Sequence, residues 1–179
     1  MRSNVVWNKG DVAHIDVSTI RWPRSIARID VANIPLILNG QGRWFAWRAP
    51  EASARTYARR HLHGTTAMEY MHRVILGLPD QFSDHRNGDG LDNRRANLRE
   101  ASHAENNRNR VGIVGTTSRF KGVSLDRRSG RWFACIKYEG RTRSLGHYDD
   151  EALAARVYDA EARRVFGDFA YTNFEVVVR

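Results

Sequence analysis

The sequence predicts an α+β protein in two parts. A β-rich N-terminal arm leads into a strand–loop–strand–helix module, and a three-stranded antiparallel sheet packed on one helix follows. Three observations carry this. Short β-branched and aromatic runs separated by turn residues fill residues 1–60. The stretch DHRNGDGLDNRRANLREASHAENN, residues 84–107, must fold back on itself at Asn87-Gly88-Asp89-Gly90, because Asn and Gly tolerate positive φ. Three more strand-like runs then precede an Ala-rich amphipathic segment at residues 151–166.

In the arm, Val12–Val17, Ile26–Val31, Ile34–Leu38 and Trp44–Trp47 are the expected strands, with Asn39-Gly40-Gln41-Gly42 as a hairpin turn between the last two. Trp22, Trp44 and Trp47 fit core or cross-strand packing better than base stacking. His61 and His63 have no third metal ligand close in sequence. Residues 66–76 have helical spacing, with Thr66 as cap, Glu69 at the capping-box position and Met68, Met71, Ile75 and Leu78 as the buried stripe. Gly77 and Pro79 end that helix. His72 and Arg73 beside the stripe either edge the core or reach a phosphate.

The chain has 179 residues, a formal net charge of +9 and a pI near 10.4, which points to a polyanionic partner. Few of its 29 basic residues are Lys, and planar Arg favours nucleic acid over a loose membrane patch. The lone cysteine, Cys135, excludes an internal disulfide and a Cys-rich zinc site. No apolar run approaches the roughly 20 residues of a membrane span, and MRSNVVWNKGD lacks a signal-peptide core. A cytoplasmic protein without a membrane partner is expected.

Residues 84–107 carry the candidate chemistry. Phe82–His85 and Asn97–Glu100 form the two strands, and Ser102 caps the following helix with Glu105 at its capping-box position. Asn97 follows His85 by twelve positions and Asn106 follows Asn97 by nine. Phosphodiester hydrolysis needs an activated water and neutralised phosphate charge. His85 is the natural general base. Asp84 and Asn106 are hard oxygen ligands for one divalent cation, Mg²⁺ first and Mn²⁺ next. Asn97 would orient the His85 ring. Adjacent strand residues ordinarily face opposite ways, so Asp84 and His85 can share a pocket only where the strand twists or ends. A calcium loop fits poorly, since the EF-hand spacing is absent.

With MHRVILGLP upstream, the sequence DHRNGDGLDNRRANLREASHAENNRNR closely resembles the HNH homing-type endonucleases of the ββα-metal class, common in phage genomes. The resemblance implies His85 as general base, Asp84 and Asn106 as metal ligands, and Asn97 as the residue positioning the base. Where many of these enzymes have a final His, this chain has Asn106, with His103 and Asn107 close by as other candidate ligands. His72 aligns with the upstream His-Arg pair, in a structural or substrate-contacting role.

Residues 1–110 would then be arm and nuclease domain, residues 111–118 (VGIVGTTS) a small-residue linker, and residues 119–179 a second domain. Its expected strands are Arg119–Val123, Arg131–Tyr138 and Arg141–Leu145, turned by Arg127-Arg128-Ser129-Gly130 and Glu139-Gly140, before a helix over Glu151–Phe166 stopped by Gly167. Residues 119–143 carry eight basic side chains (Arg119, Lys121, Arg127, Arg128, Arg131, Lys137, Arg141, Arg143) against two acids, while residues 144–179 carry four against seven. Trp132, Ala134 and Ile136 alternate towards the helix, which leaves Arg131, Phe133, Cys135 and Lys137 outward. A sheet with such a face can lie in the major groove.

This half, from Phe120 to Phe174, resembles the DNA-binding domain of plant ethylene-response factors through Lys-Gly-Val, Arg-Trp, Leu-Gly, Ala-Ala-x-x-Tyr-Asp and a late Asn. The resemblance implies that sheet residues contact double-stranded DNA. Taken together, the sequence predicts a metal-dependent DNA endonuclease that nicks one strand per active site and is positioned by the C-terminal sheet. A homodimer is one route to cutting both strands. The alternatives are a DNA-binding regulator with a decayed nuclease site and a nuclease acting on RNA.

Overall fold

The computed structural model describes residues 4–48, 55–78, 82–102, 105 and 117–174. It divides into two compact units, Met1–Asn106 and Asn107–Arg179.

In the first unit, β1 (Val6–Lys9), β2 (Val12–Asp16) and β3 (Ile26–Asp30) form an antiparallel sheet in that order. Alternation fixes its register: Ala13, Ile15, Ala27 and Ile29 are fully buried, and His14 and Arg28 pair across the opposite face. A second sheet contains β4 (Phe45–Arg48), β5 (Thr56–His61) and β6 (Met68–Tyr70). The core also takes in Ile37, Trp44, Ala46, Ala58, Met71, Ile75 and Leu98. Trp44 is a core residue, with its indole N–H donating to the Ile37 carbonyl at 2.8 Å.

Two sequence expectations change here. Ile34–Leu38 is not a strand. Ile34–Ile37 forms the short helix α1, with Pro35 in its first turn, where a missing N–H costs nothing. Asn39–Gly42 therefore turns no hairpin, and β4 pairs with β5 instead. The helix over residues 66–76 begins only at α2 (Met71–Leu76), because Met68–Tyr70 pairs with β5. Thr66 and Glu69 form no capping box. The Glu69 carboxylate instead accepts from Arg60 Nε and Nη2 at 2.9 and 2.8 Å. Arg60 is only 2% exposed and stacks on Trp44, so it needs that carboxylate more than the helix needs a cap. Gly77 does end α2, at φ 71°.

Beyond α2, β7 (Ser83–His85) and β8 (Leu98–Glu100) form an antiparallel ribbon. The loop between them docks on β3: Arg28 N–H donates to the Leu91 carbonyl at 2.8 Å, and Asn93 N–H to the Arg28 carbonyl at 2.7 Å. The Ser102–Glu105 capping box is formed, with Glu105 Oε2 accepting from Ser102 N–H at 2.7 Å and Ser102 Oγ accepting from Glu105 N–H at 3.2 Å.

The second unit is a sheet of β9 (Val123–Asp126), β10 (Arg131–Tyr138) and β11 (Arg141–Tyr148) in the order β11-β10-β9, followed by α3 (Glu151–Phe166). The first strand starts four residues later than expected. Gly122, at φ 77°, turns the chain there, and a Cβ at that position would sit 2.0 Å from a Tyr158 ring carbon. Val123, Ala134, Ile136, Ala154, Ala155, Tyr158 and Ala162 are buried between sheet and helix. Asp150 caps α3 by accepting from Leu153 N–H at 2.6 Å.

Candidate nucleic-acid interface

In the first unit, ribbon pairing sets Asp84 opposite Arg99 and His85 opposite Leu98, so the two side chains leave opposite faces. The Asp84 carboxylate accepts from Arg99 Nε at 2.9 Å, and Arg55 lies 4.0 Å away. The His85 ring, 3% exposed, sits against Asn93 Oδ1 at 3.2 Å. The expected ring partner, Asn97, instead staples the loop: its Oδ1 accepts from Asn87 N–H at 3.0 Å, and its Nδ2 donates to the Asp92 carbonyl at 2.7 Å. His72 does meet His85, edge to face with ring centroids 4.9 Å apart, and Tyr57 contacts both rings.

Burial sets the charge state of this cluster. It pushes His72 well below the ordinary imidazole value, and the neighbouring His85 and Arg73 push the same way. Burial also lowers His85, partly offset by the Asn93 contact and the Asp84 charge. Below them, burial raises the Asp92 carboxyl, but the Arg94 hydrogen bonds and the charges of Arg28 and Arg94 hold it below the usual carboxylate range. Arg73 stacks on Tyr70 at 5.2 Å. Of the residues expected to hold a cation, Asp84 is engaged by Arg99, and Asn106 lies outside the described residues, as do His103 and Asn107. Among the described residues, no group of three His, Cys, Asp or Glu is placed to hold a metal ion.

In the second unit, cross-strand pairing sorts the basic residues by face. Trp132 pairs with Leu125 and Tyr148, and Ala134 with Val123 and Gly146, on the helix side. Arg131 with Asp126, and Phe133 with Ser124 and His147, face outward. The Phe133 and His147 rings lie 4.9 Å apart. A bulge then shifts the register, so that Ala134 pairs with Gly146 but Cys135 with Ser144, which skips Leu145. Leu145 packs against the core, and the β11 residues before it, Arg141–Ser144, change side. Lys137 and Thr142 share the outer face, whereas Arg143 pairs with Ile136 and Arg141 with Tyr138 on the helix side. Arg143 lies over the Tyr138 ring at 5.2 Å. Pattern reading could not separate Arg141 and Arg143 from Lys137, because a bulge has no fixed sequence signature.

Arg127 and Arg128 stand exposed in the β9–β10 turn. Along with Lys137, they form no ion pair with a carboxylate among the described residues. Arg131 binds Asp149 at 2.8 Å. Arg119 stacks on Phe120 at 4.8 Å, and Lys121 on Tyr171 at 5.1 Å. The outer face thus offers three uncommitted cations, an aromatic edge and small hydroxyls.

No family model matches the chain. Part of it is similar to two AP2-like ethylene-responsive transcription factors of Arabidopsis thaliana, at 40% identity over 68 and 70 residues. These alignments span 32% and 34% of this chain but 12% and 14% of the relatives. An AP2/ERF and B3 domain-containing protein of Oryza sativa subsp. japonica is 49% identical over 59 residues, spanning 32% of this chain and 16% of its own. The chain therefore spans less than a fifth of the length of these curated relatives. Their names overturn the expected endonuclease: two are transcription factors, the third is named for its AP2/ERF and B3 domains, and none is named as a hydrolase.

No described helix is long and apolar enough to cross a membrane.

Proposed function

We propose that this protein is a non-catalytic DNA-binding regulator that grips duplex DNA through the outer face of the β9–β11 sheet. One observation carries this: Lys137, Arg127 and Arg128 lie on the open side and turn of a sheet whose other side is covered by α3, without carboxylate partners among the described residues. Uncommitted guanidinium and ammonium groups on a narrow, rigid sheet suit the major groove, where phosphate contacts supply affinity and Arg can meet guanine. The similarity to named transcription factors supports the same conclusion. In the first unit, Asp84 is held by Arg99 and His85 is buried against Asn93, an arrangement in keeping with a structural role for those residues.

The test is a binding titration of the full chain on mixed-sequence duplex DNA at several salt concentrations. Replacing Arg127, Arg128 and Lys137 together by Ala should weaken binding more than about tenfold and flatten the slope of log K against log salt by about three phosphate contacts. Unchanged affinity would remove the sheet from the interface. Supercoiled plasmid incubated with the protein and Mg²⁺ should stay supercoiled, and nicked circles would refute the non-catalytic assignment.

A further inference from the structure

The loop from Ser18 to Ser25 joins β2 to β3 and ends in an apolar point. Ile20 is 105% exposed, more than any other exposed large apolar residue among those described. A mobile loop could carry such a residue without consequence, but this loop is fastened. Thr19 N–H donates to the Trp22 carbonyl at 3.0 Å, and Trp22 N–H donates to Thr19 Oγ at 2.9 Å, closing a turn with Ile20 and Arg21 at its tip. Ser25 Oγ donates to the Trp22 carbonyl at 3.1 Å, and Ser25 N–H donates to Ser18 Oγ at 3.0 Å. Trp22 packs against the core of the first unit, and Pro23 stiffens the exit. Arg24 holds φ at 56°, a conformation that non-glycine residues adopt at a cost.

Three guanidinium groups lie on this loop or against its Trp22 ring. Arg21 and Arg48 lie over the Trp22 ring at 5.5 and 5.6 Å, and Arg24 is exposed beside them. None of the three forms an ion pair with a carboxylate among the described residues. A rigid aliphatic tip flanked by cations has the chemistry of a wedge that enters a base step from the minor groove while its arginines meet the flanking phosphates. A membrane surface would favour a broad apolar face over one side chain.

We propose that Ile20 is a DNA wedge: with Arg21, Arg24 and Arg48 on the phosphates, it unstacks one base step and bends duplex DNA. This is a second contact, made by the first unit rather than by the β9–β11 sheet of the second, and it rests on the duplex-binding function proposed above.

Ligase-driven ring closure of a fragment near one persistence length, about 150 bp, reports bending without knowledge of a target sequence. At saturating protein, the full chain should raise the closure rate about tenfold or more over bare DNA. Ile20→Ala should return closure to within about twofold of bare DNA, lower affinity no more than about threefold, and leave the thermal melt unchanged. The double variant Arg21→Ala, Arg24→Ala should lower affinity and flatten its salt dependence. Wild-type closure by Ile20→Ala, or binding without accelerated closure by the wild type, would overturn the wedge. So would Ile20-dependent flotation with phosphatidylserine vesicles without any effect on closure. The Arg127, Arg128, Lys137 triple variant separates the two contacts. If it loses affinity but still closes rings at saturation, the sheet and the wedge both stand. If it keeps full affinity while Ile20→Ala loses closure, only the sheet falls.

Discussion

His72 is a base buried where its charged form is disfavoured, and its surroundings give that a measurable consequence. Tyr57, Tyr70 and His85 contact its ring, and burial with two cationic or ionisable neighbours holds its proton affinity well below the ordinary value of 6.5. Above that value the imidazole is neutral whether folded or unfolded, so it contributes no pH dependence. As pH falls through about 6.5, the unfolded chain takes up a proton that the folded chain refuses, and stability drops by up to about 1.4 kcal/mol per pH unit for each such group. Denaturant melts should therefore be level between about pH 7 and 8 and fall steadily below 6.5. His72→Phe should reduce that fall, since Phe fills the aromatic site without titrating. Gly122 offers a second test of a single position. Gly122→Ala meets both a positive φ and the Tyr158 ring, and should lower stability by about 3 kcal/mol in a thermal melt. Some of this detail was legible in the sequence and some was not. The two strands Phe82–His85 and Asn97–Glu100 were legible, but pairing them end to end sets Asp84 opposite Leu98, whereas the observed register sets it opposite Arg99, one residue away, because the long loop between the strands leaves the register to tertiary contacts. That Asn93 rather than Asn97 meets His85 follows from how the loop docks on Arg28, a contact 65 residues distant from its partner in the case of Asp30 and Arg95, and no local spacing encodes it.

Elements were legible where one periodicity dominated. β10 and α3 have the bounds expected from alternation and from the Ala-rich stripe, because nothing distant competes with either pattern. The segment before α2 failed because Arg60, already committed to the core, draws Glu69 into a strand. Beyond α3, the chain is held by one buried carboxylate, and this predicts how the second unit fails. Asp159, 2% exposed, accepts from Asn173 N–H and Nδ2 at 2.8 and 2.9 Å and from Phe174 N–H at 3.0 Å. Asn173 in turn binds both backbone groups of Lys121. The helix, the segment after it and the approach to β9 thus share one network. Asp159→Ala should cost about 3 kcal/mol, since three donors lose a charged acceptor at once. For a domain of this size that is a melting shift of about 10–20 °C. Adding Asn173→Ala should cost much less than the sum of the two single changes, because both remove the same bonds, and a double-mutant cycle on thermal melts would measure the coupling.

At the scale of the molecule, net charge alone does not locate the interface. Residues 107–179 carry 14 Lys and Arg against 9 acids, and residues 1–106 carry 15 against 11, so the excess is nearly even between the units. What locates it is where cations without carboxylate partners among the described residues gather, which in the first unit is the Ile20 loop with Arg21, Arg24 and Arg48. In the first unit, Arg28, Arg60, Arg94 and Arg99 are bound to carboxylates and support the loop and the core. In the second, Arg127, Arg128 and Lys137 have no such partner among the described residues and share the sheet's open side and turn. Binding should follow the uncommitted charge. Residues 107–179 have a core of their own, although a domain of about 60 residues buries only about 60% of its unfolded surface and will be marginally stable. Prepared separately, residues 107–179 should unfold in one cooperative transition and retain duplex affinity within about tenfold of the full chain, with most of its salt slope. Residues 1–106 alone should bind much more weakly, through Arg21, Arg24 and Arg48. If instead residues 1–106 bound as tightly as the full chain and with the same salt slope, the phosphates would be held by the first unit, and the exposed cations of the sheet would be no more than a solvated face.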